Sequence, residues 1–170
     1  PHLVFPEWKR VLRTDGLLAL QKTPAEVVHR DEHLFQTVHQ SSELWLKLAT
    51  SDVDEATRRV EQGEVAEAAR LLRRPLRCMR YATDQLDMLE ELSPWEYQEI
   101  RKVLGHGSGF DSPGWRSLRT ALPRLGVARV VGRAGHVERE LRVTLELGLH
   151  VGLDVLEHEA AAGGCRRLAG

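Results

Sequence analysis

The strongest constraint on this chain is an unbroken helical periodicity from Asp31 to Val60. Leu34, Phe35, Val38, Leu44, Trp45, Leu48, Val53, Ala56 and Val60 recur at intervals that favour one helical side, with charged and polar residues between them. This predicts one long helix or two collinear ones. A second such run, Val65, Ala69, Leu72, Leu76, Met79, Leu86 and Leu89, predicts another long helix, kinked at Pro75, which has no backbone donor. Two long amphipathic helices cannot cover their own apolar stripes, so an all-α bundle of antiparallel helices is the expected fold.

Ser93-Pro94-Trp95-Glu96 is a helix start. Ser93 can accept from free N–H groups, Pro94 suits the first turn, and Glu96 can reach back to close a capping box. A short helix to about Leu104 follows. Gly and Pro cluster at Gly105 to Gly114, Pro123 to Gly126, Gly132 to Gly135 and Gly163 to Gly164, and these read as turns. From Val143 to Val155 apolar and polar residues alternate as in a strand, but no other segment offers a partner, so a buried helix is expected there. With 170 residues, a single domain over 1–170 is expected.

A formal net charge of −1 gives no broad field for nucleic acid or an anionic membrane, which points to a small-molecule partner. No apolar run reaches the length of a membrane span, and Pro1 to Trp8 lacks the character of a signal peptide, so a cytoplasmic protein is expected. Cys78 and Cys165 are the only cysteines and have no metal-ligand spacing. Cys78, between Arg77 and Met79 on a helical stretch, is expected as a packed thiol.

The residues suited to chemistry fall in two stretches. In Phe35-Gln36-Thr37-Val38-His39-Gln40-Ser41-Ser42-Glu43-Leu44-Trp45, Phe35 and His39 are four apart and share a helical side. A core histidine bonded to a neighbour is the plainer reading of His39 alone. In Leu92-Ser93-Pro94-Trp95-Glu96-Tyr97-Gln98-Glu99-Ile100-Arg101, Tyr97 and Arg101 have the same spacing, ahead of Gly107-Ser108-Gly109-Phe110. An arginine beside aromatic groups and a Gly-rich loop can clamp a carboxylate through two parallel hydrogen bonds; a solvated surface charge is the alternative.

In order, the motifs are a Trp8 to Gln21 segment ending Asp15-Gly16-Leu17-Leu18-Ala19-Leu20-Gln21, then Phe-x-x-x-His-Gln-x-x-Glu-Leu-Trp, Leu-Ser-Pro-x-x-Tyr-x-x-x-Arg, and Ser-Gly-Phe. Together, over about residues 5 to 112, they resemble the tryptophan 2,3-dioxygenase superfamily of heme-dependent aromatic oxygenases. The resemblance implies heme b as cofactor, an aromatic amino acid as substrate, and dioxygen or peroxide as oxidant. It makes His39 the distal-pocket histidine, Phe35 and Tyr97 walls against the aromatic ring, and Arg101 the carboxylate anchor. Ser108 and Gly109 fall in the loop beside heme and substrate. Trp8 and Val11 fall where relatives send an amino-terminal helix into a neighbour's pocket, which implies a homo-oligomer.

The later part of the chain departs from the family pattern. The interval before the late helix is short, Gly163-Gly164 alone matches the family's Gly-Thr-Gly-Gly loop, and the ammonium-binding Thr is not recognisable. His136, His150 and His158 are the candidate axial ligands to the iron. His158 is preferred because its neighbours, Asp154, Val155, Ala161 and Ala162, include one carboxylate, whereas His150 has two, Glu146 and Asp154, yet better matches the family wording. The reduced late region favours hydroxylation of L-tyrosine to L-DOPA, with L-tryptophan 2,3-dioxygenation to N-formylkynurenine as the alternative. A non-catalytic heme sensor or helical interaction module is the competing class.

Overall fold

The computed structural model describes residues 6–104 and 112–127, and these are helical with no strand among them. The elements are α1 (Pro6–Leu12), α2 (Thr14–Leu18), α3 (Glu32–Glu61), α4 (Val65–Leu71), α5 (Arg73–Asp84), a 3-10 helix (Gln85–Glu91), α6 (Pro94–Leu104) and α7 (Pro113–Val127). The expected all-α architecture is observed. Among the described residues no helix is long and apolar enough to cross a membrane. Ser108, Gly109, His136, His150, His158, Cys165 and the alternating segment from Val143 to Val155 lie outside the described residues.

α3 is one continuous helix of 30 residues, about 45 Å long at 1.5 Å per residue. Its buried stripe, Val38, Ser42, Leu46, Ala49, Val53, Ala56 and Val60, steps by three or four residues and makes α3 the axis on which α4, α5 and α7 pack. Gly63 terminates it. With φ at 79°, Gly63 takes the left-handed conformation; its N–H bonds to Val60 O at 2.9 Å and the Glu64 N–H to Arg59 O at 2.8 Å. These paired bonds form a Schellman closure and satisfy carbonyls that the helix end would leave open.

The second expected long helix is instead three pieces. The chain breaks at Leu72, fully buried, which puts Pro75 in the first turn of α5, where a missing N–H costs no helical bond. From Gln85 the winding tightens to 3-10, and Leu92 is extended ahead of Ser93-Pro94. The turn expected at Pro123 to Gly126 is also absent, because α7 runs through Pro123 to Val127. Burial of Leu118, Ala121, Leu122 and Leu125 outweighs the one backbone bond that Pro123 removes. Pro113 and Gly114, expected within a turn, open α7.

Two apolar clusters result. The larger joins the middle and end of α3 to α4, α5 and α7 through Leu46, Val53, Leu72, Met79, Leu118 and Leu122. Cys78 is buried in it as expected, and its thiol is pushed up by loss of hydration, then by the nearby Asp52 carboxylate. The smaller holds the start of α3 against the 3-10 helix and α6 through Val38, Leu89, Leu92 and Ile100, with Leu34 and Phe35 packed on it. Asp52, nearly buried, takes a two-point bond from Arg74, with Arg74 Nε 2.6 Å from Asp52 Oδ2, and ties α5 to α3.

Candidate functional site

Phe35 packs on the smaller cluster, and His39 beside it on α3 is exposed rather than a core histidine. Phe35 and His39 stand one turn apart on α3, their rings stacked at 4.1 Å between centroids and 29° between planes. His39 Nδ1 lies 2.8 Å from Phe35 O. A carbonyl only accepts, so Nδ1 carries the proton in this bond and Nε2 of the neutral ring keeps its lone pair for another group. Tyr97, nearly buried, completes the group with its ring 6.1 Å from that of Phe35 and tilted by 43°.

The position of Tyr97 follows from local sequence. The Ser93 N–H donates to Glu96 Oε2 at 2.9 Å and the Glu96 N–H to Ser93 Oγ at 3.3 Å, which is the expected capping box. The Ser93 hydroxyl, then its N–H, holds the Glu96 carboxyl below the usual range. Ile100, fully buried, fixes the rotation of α6, and Arg101 follows Tyr97 by one turn, half-buried and engaged with neighbours. The structure thus brings Phe35, His39 and Tyr97 together and puts Arg101 on the same helix as Tyr97. Trp8 stands on α1 with 63% of its surface exposed. Ser108 and Gly109, and the axial candidates His158, His150 and His136, lie outside the described residues.

Several supporting residues have no local sequence signal. The segment between α2 and α3 is strapped onto the start of α3: the Lys22 N–H donates to Gln36 Oε1 at 3.1 Å, Gln21 bonds Gln40 through their side chains, and the Val28 N–H donates to Glu32 Oε2 at 2.9 Å. Gln36 and Gln40 lie on either side of His39 in sequence. Glu32 is 5% exposed and paired with Lys22. Its burial pushes the carboxyl pKa up, but the Lys22 bond, the Val28 N–H and the Lys22 charge together hold it below 4.5.

Glu43, one turn beyond His39, reaches α7. Its Oε2 accepts from the Gly114 N–H at 2.8 Å and its Oε1 from the Ser112 hydroxyl, while the Trp115 N–H donates to Ser112 Oγ at 3.2 Å. With Pro113 lacking a donor, the first three positions of α7 have no open N–H. A Cβ at Gly114 would sit 2.7 Å from both Glu43 Oε2 and Leu46 Cβ, so this approach of α7 to α3 requires glycine.

Among the described residues His29, Asp31 and Glu96 have potential metal-ligand atoms within 4.8 Å of one another. Each already serves a local structural bond: His29 Nδ1 accepts the Asp31 N–H at 3.3 Å, Asp31 pairs with Arg30, and Glu96 closes the capping box.

The profile of the tryptophan 2,3-dioxygenase family matches residues 7–137. A tryptophan 2,3-dioxygenase of Xanthomonas euvesicatoria pv. vesicatoria is 37% identical over 137 residues, which is 79% of this chain and 46% of that protein. The enzyme of the same name from Xanthomonas campestris pv. campestris is 40% identical over 65% of this chain and 37% of its own length. That from Serratia proteamaculans is 39% identical over 64% and 39%. The chain therefore spans less than half the length of these curated relatives. The matched span contains the stacked Phe35 and His39, Tyr97 and Arg101 on one helix, and the helices that carry them, and by that match the chain belongs to the tryptophan 2,3-dioxygenase family.

Proposed function

We propose that this chain supplies the substrate side of a heme-dependent tryptophan 2,3-dioxygenase. In that reaction both atoms of dioxygen enter the indole ring, the bond between its C2 and C3 is cleaved, and N-formylkynurenine forms without a separate reductant. The observation that carries the reading is the grouping of Phe35, His39 and Tyr97 at the start of α3, within the span matched by the family. The expectation of L-tyrosine hydroxylation gives way to its alternative, since these relatives are tryptophan 2,3-dioxygenases.

Heme b, when bound, supplies the activation of dioxygen. The residues present fit the distal side of such a group: an aromatic wall, an imidazole with a free lone pair, and an arginine one turn from the wall. His158, with His150 as its rival, would hold the iron. Phe35 and Tyr97 flank the substrate ring. Arg101 binds the amino-acid carboxylate, exchanging its present interactions for two parallel bonds. His39 Nε2 accepts the indole N–H, a group that can only donate, while Nδ1–H stays on Phe35 O and keeps the ring oriented.

A homo-oligomer belongs to the same proposal. α2 buries none of its residues, and Trp8, Val11, Leu18 and Leu20 are all more than 60% exposed, an apolar surface suited to a second copy. The test is an anaerobic spectral titration of the heme-loaded full chain with L-tryptophan and L-tyrosine. Saturable perturbation of the heme spectrum at lower concentrations of tryptophan supports the proposal; preference for tyrosine, or no heme uptake, contradicts it.

A further inference from the structure

The junction between α4 and α5 holds charge that the proposed reaction leaves unused. From Glu67 to Asp84 the chain has five arginines, Arg70, Arg73, Arg74, Arg77 and Arg80, and no carboxylate between those ends. Four of them, with Leu71, line a concave site of about 320 Å³ that straddles the break at Leu72. Two have partners: Arg70 bonds Glu67 through Nε at 2.9 Å, and Arg74 grips the nearly buried Asp52. Arg73 and Arg77 are exposed and, among the described residues, have no ion pair or hydrogen-bond partner. They are four residues apart on α5, a spacing at which like charges destabilise a helix unless an anion lies between them.

We infer that this concavity binds a small soluble molecule carrying a phosphate or diphosphate group. Planar guanidinium forks match phosphate oxygens through paired hydrogen bonds, and two unengaged forks at one site leave their donors for a ligand. The pairing of Arg70 and Arg74 with Glu67 and Asp52 leaves Arg73 and Arg77 as the unpaired guanidinium groups that line the concavity. A chain net charge of −1 gives no broad positive field to draw a nucleic acid or an anionic membrane. Arg74, which also lines the concavity, keeps its structural role of holding Asp52.

The probe is inorganic pyrophosphate, titrated calorimetrically into the full chain at fixed ionic strength. Saturable binding of one equivalent is expected with a Kd below about 1 mM. The double variant Arg73→Ala/Arg77→Ala should weaken it at least about tenfold, the size of one lost charge-assisted bond. Arg73→Lys/Arg77→Lys, which keeps charge without the fork, should bind more weakly than wild type, and Arg124→Ala on α7 should bind as wild type does. Both pairs are exposed, so unchanged far-ultraviolet circular dichroism is expected. Absence of saturable binding, or equal affinity in the alanine pair, overturns the inference. Equal affinity for citrate overturns the assignment to phosphate. Binding confined to vesicles of phosphatidylcholine and phosphatidylglycerol, with none to pyrophosphate, overturns the soluble ligand.

Discussion

Glu43 Oε2 accepts the Gly114 N–H at 2.8 Å, and this bond couples the helix that carries His39 to the start of α7. Both ends are needed. Gly114→Ala puts a methyl group 2.7 Å from Leu46 Cβ, which has no room to retreat in the core, and should cost about 1–3 kcal/mol of stability. Glu43→Ala leaves the Gly114 N–H without its acceptor and should cost a similar amount, roughly 1–3 kcal/mol. Chemical denaturation measures both; a change under about 0.5 kcal/mol for Gly114→Ala, the size of an ordinary surface substitution, contradicts the close approach.

Arg74→Ala should destabilise the fold more than Arg73→Ala or Arg77→Ala. It alone strands a carboxylate, Asp52, which is 5% exposed. Breaking a fully buried pair costs about 3–5 kcal/mol; the half-exposed guanidinium reduces this to roughly 1–3 kcal/mol. Asp52→Asn in the Arg74→Ala background should recover part of the loss. Denaturation midpoints of the three arginine variants and the double variant decide it, and equal midpoints for the three refute the ranking.

Acid should loosen the strap between α2 and α3. Glu32 has a folded pKa below the ordinary 4.5, so its contribution is fully present above that value and is lost as pH falls through the lower folded one. Hydrogen exchange of the Val28 amide, which donates to Glu32, should therefore accelerate below about pH 4.5 while amides in the middle of α3 stay protected. In Glu32→Gln that amide should already exchange fast at neutral pH. Uniform loss of protection along the chain would locate the acid sensitivity elsewhere.

Arg101→Ala should weaken L-tryptophan binding by an amount corresponding to about 1.5–3 kcal/mol and leave heme content unchanged, because Arg101 is the proposed carboxylate anchor and not a proposed ligand of the iron. His39→Ala should lower turnover more than heme binding. Equilibrium titration and the pyridine hemochrome assay separate the two effects, and an unaltered binding constant in Arg101→Ala excludes it as the anchor.

What the sequence made legible was local. The helix of α3 and both ends of its stripe, Val38 and Val53 to Val60, follow from the periodicity, though in its middle Leu46 and Ala49 are buried in place of the expected Leu44 and Leu48, which are exposed. The Ser93 to Glu96 box closes within four residues, and the stacking of Phe35 on His39 follows from their spacing on one helix. What it hid was non-local or a contest between terms. The break at Leu72 lies three residues before the proline that suggested it, since the chain gains by keeping Pro75 in a first turn. Pro123 stays helical because its neighbours are buried against α3. Glu43 meets Gly114 across 71 positions and Lys22 meets Glu32 across a loop, and no periodicity records such pairs.

The most direct test of the central claim is the product formed when the heme-loaded full chain is given dioxygen with equal L-tryptophan and L-tyrosine. The predicted result, read by mass spectrometry, is N-formylkynurenine carrying both atoms of labelled dioxygen, reduced in His39→Ala and Arg101→Ala. Hydroxylated tyrosine with no N-formylkynurenine, or no product from a chain that binds heme and tryptophan, would contradict it.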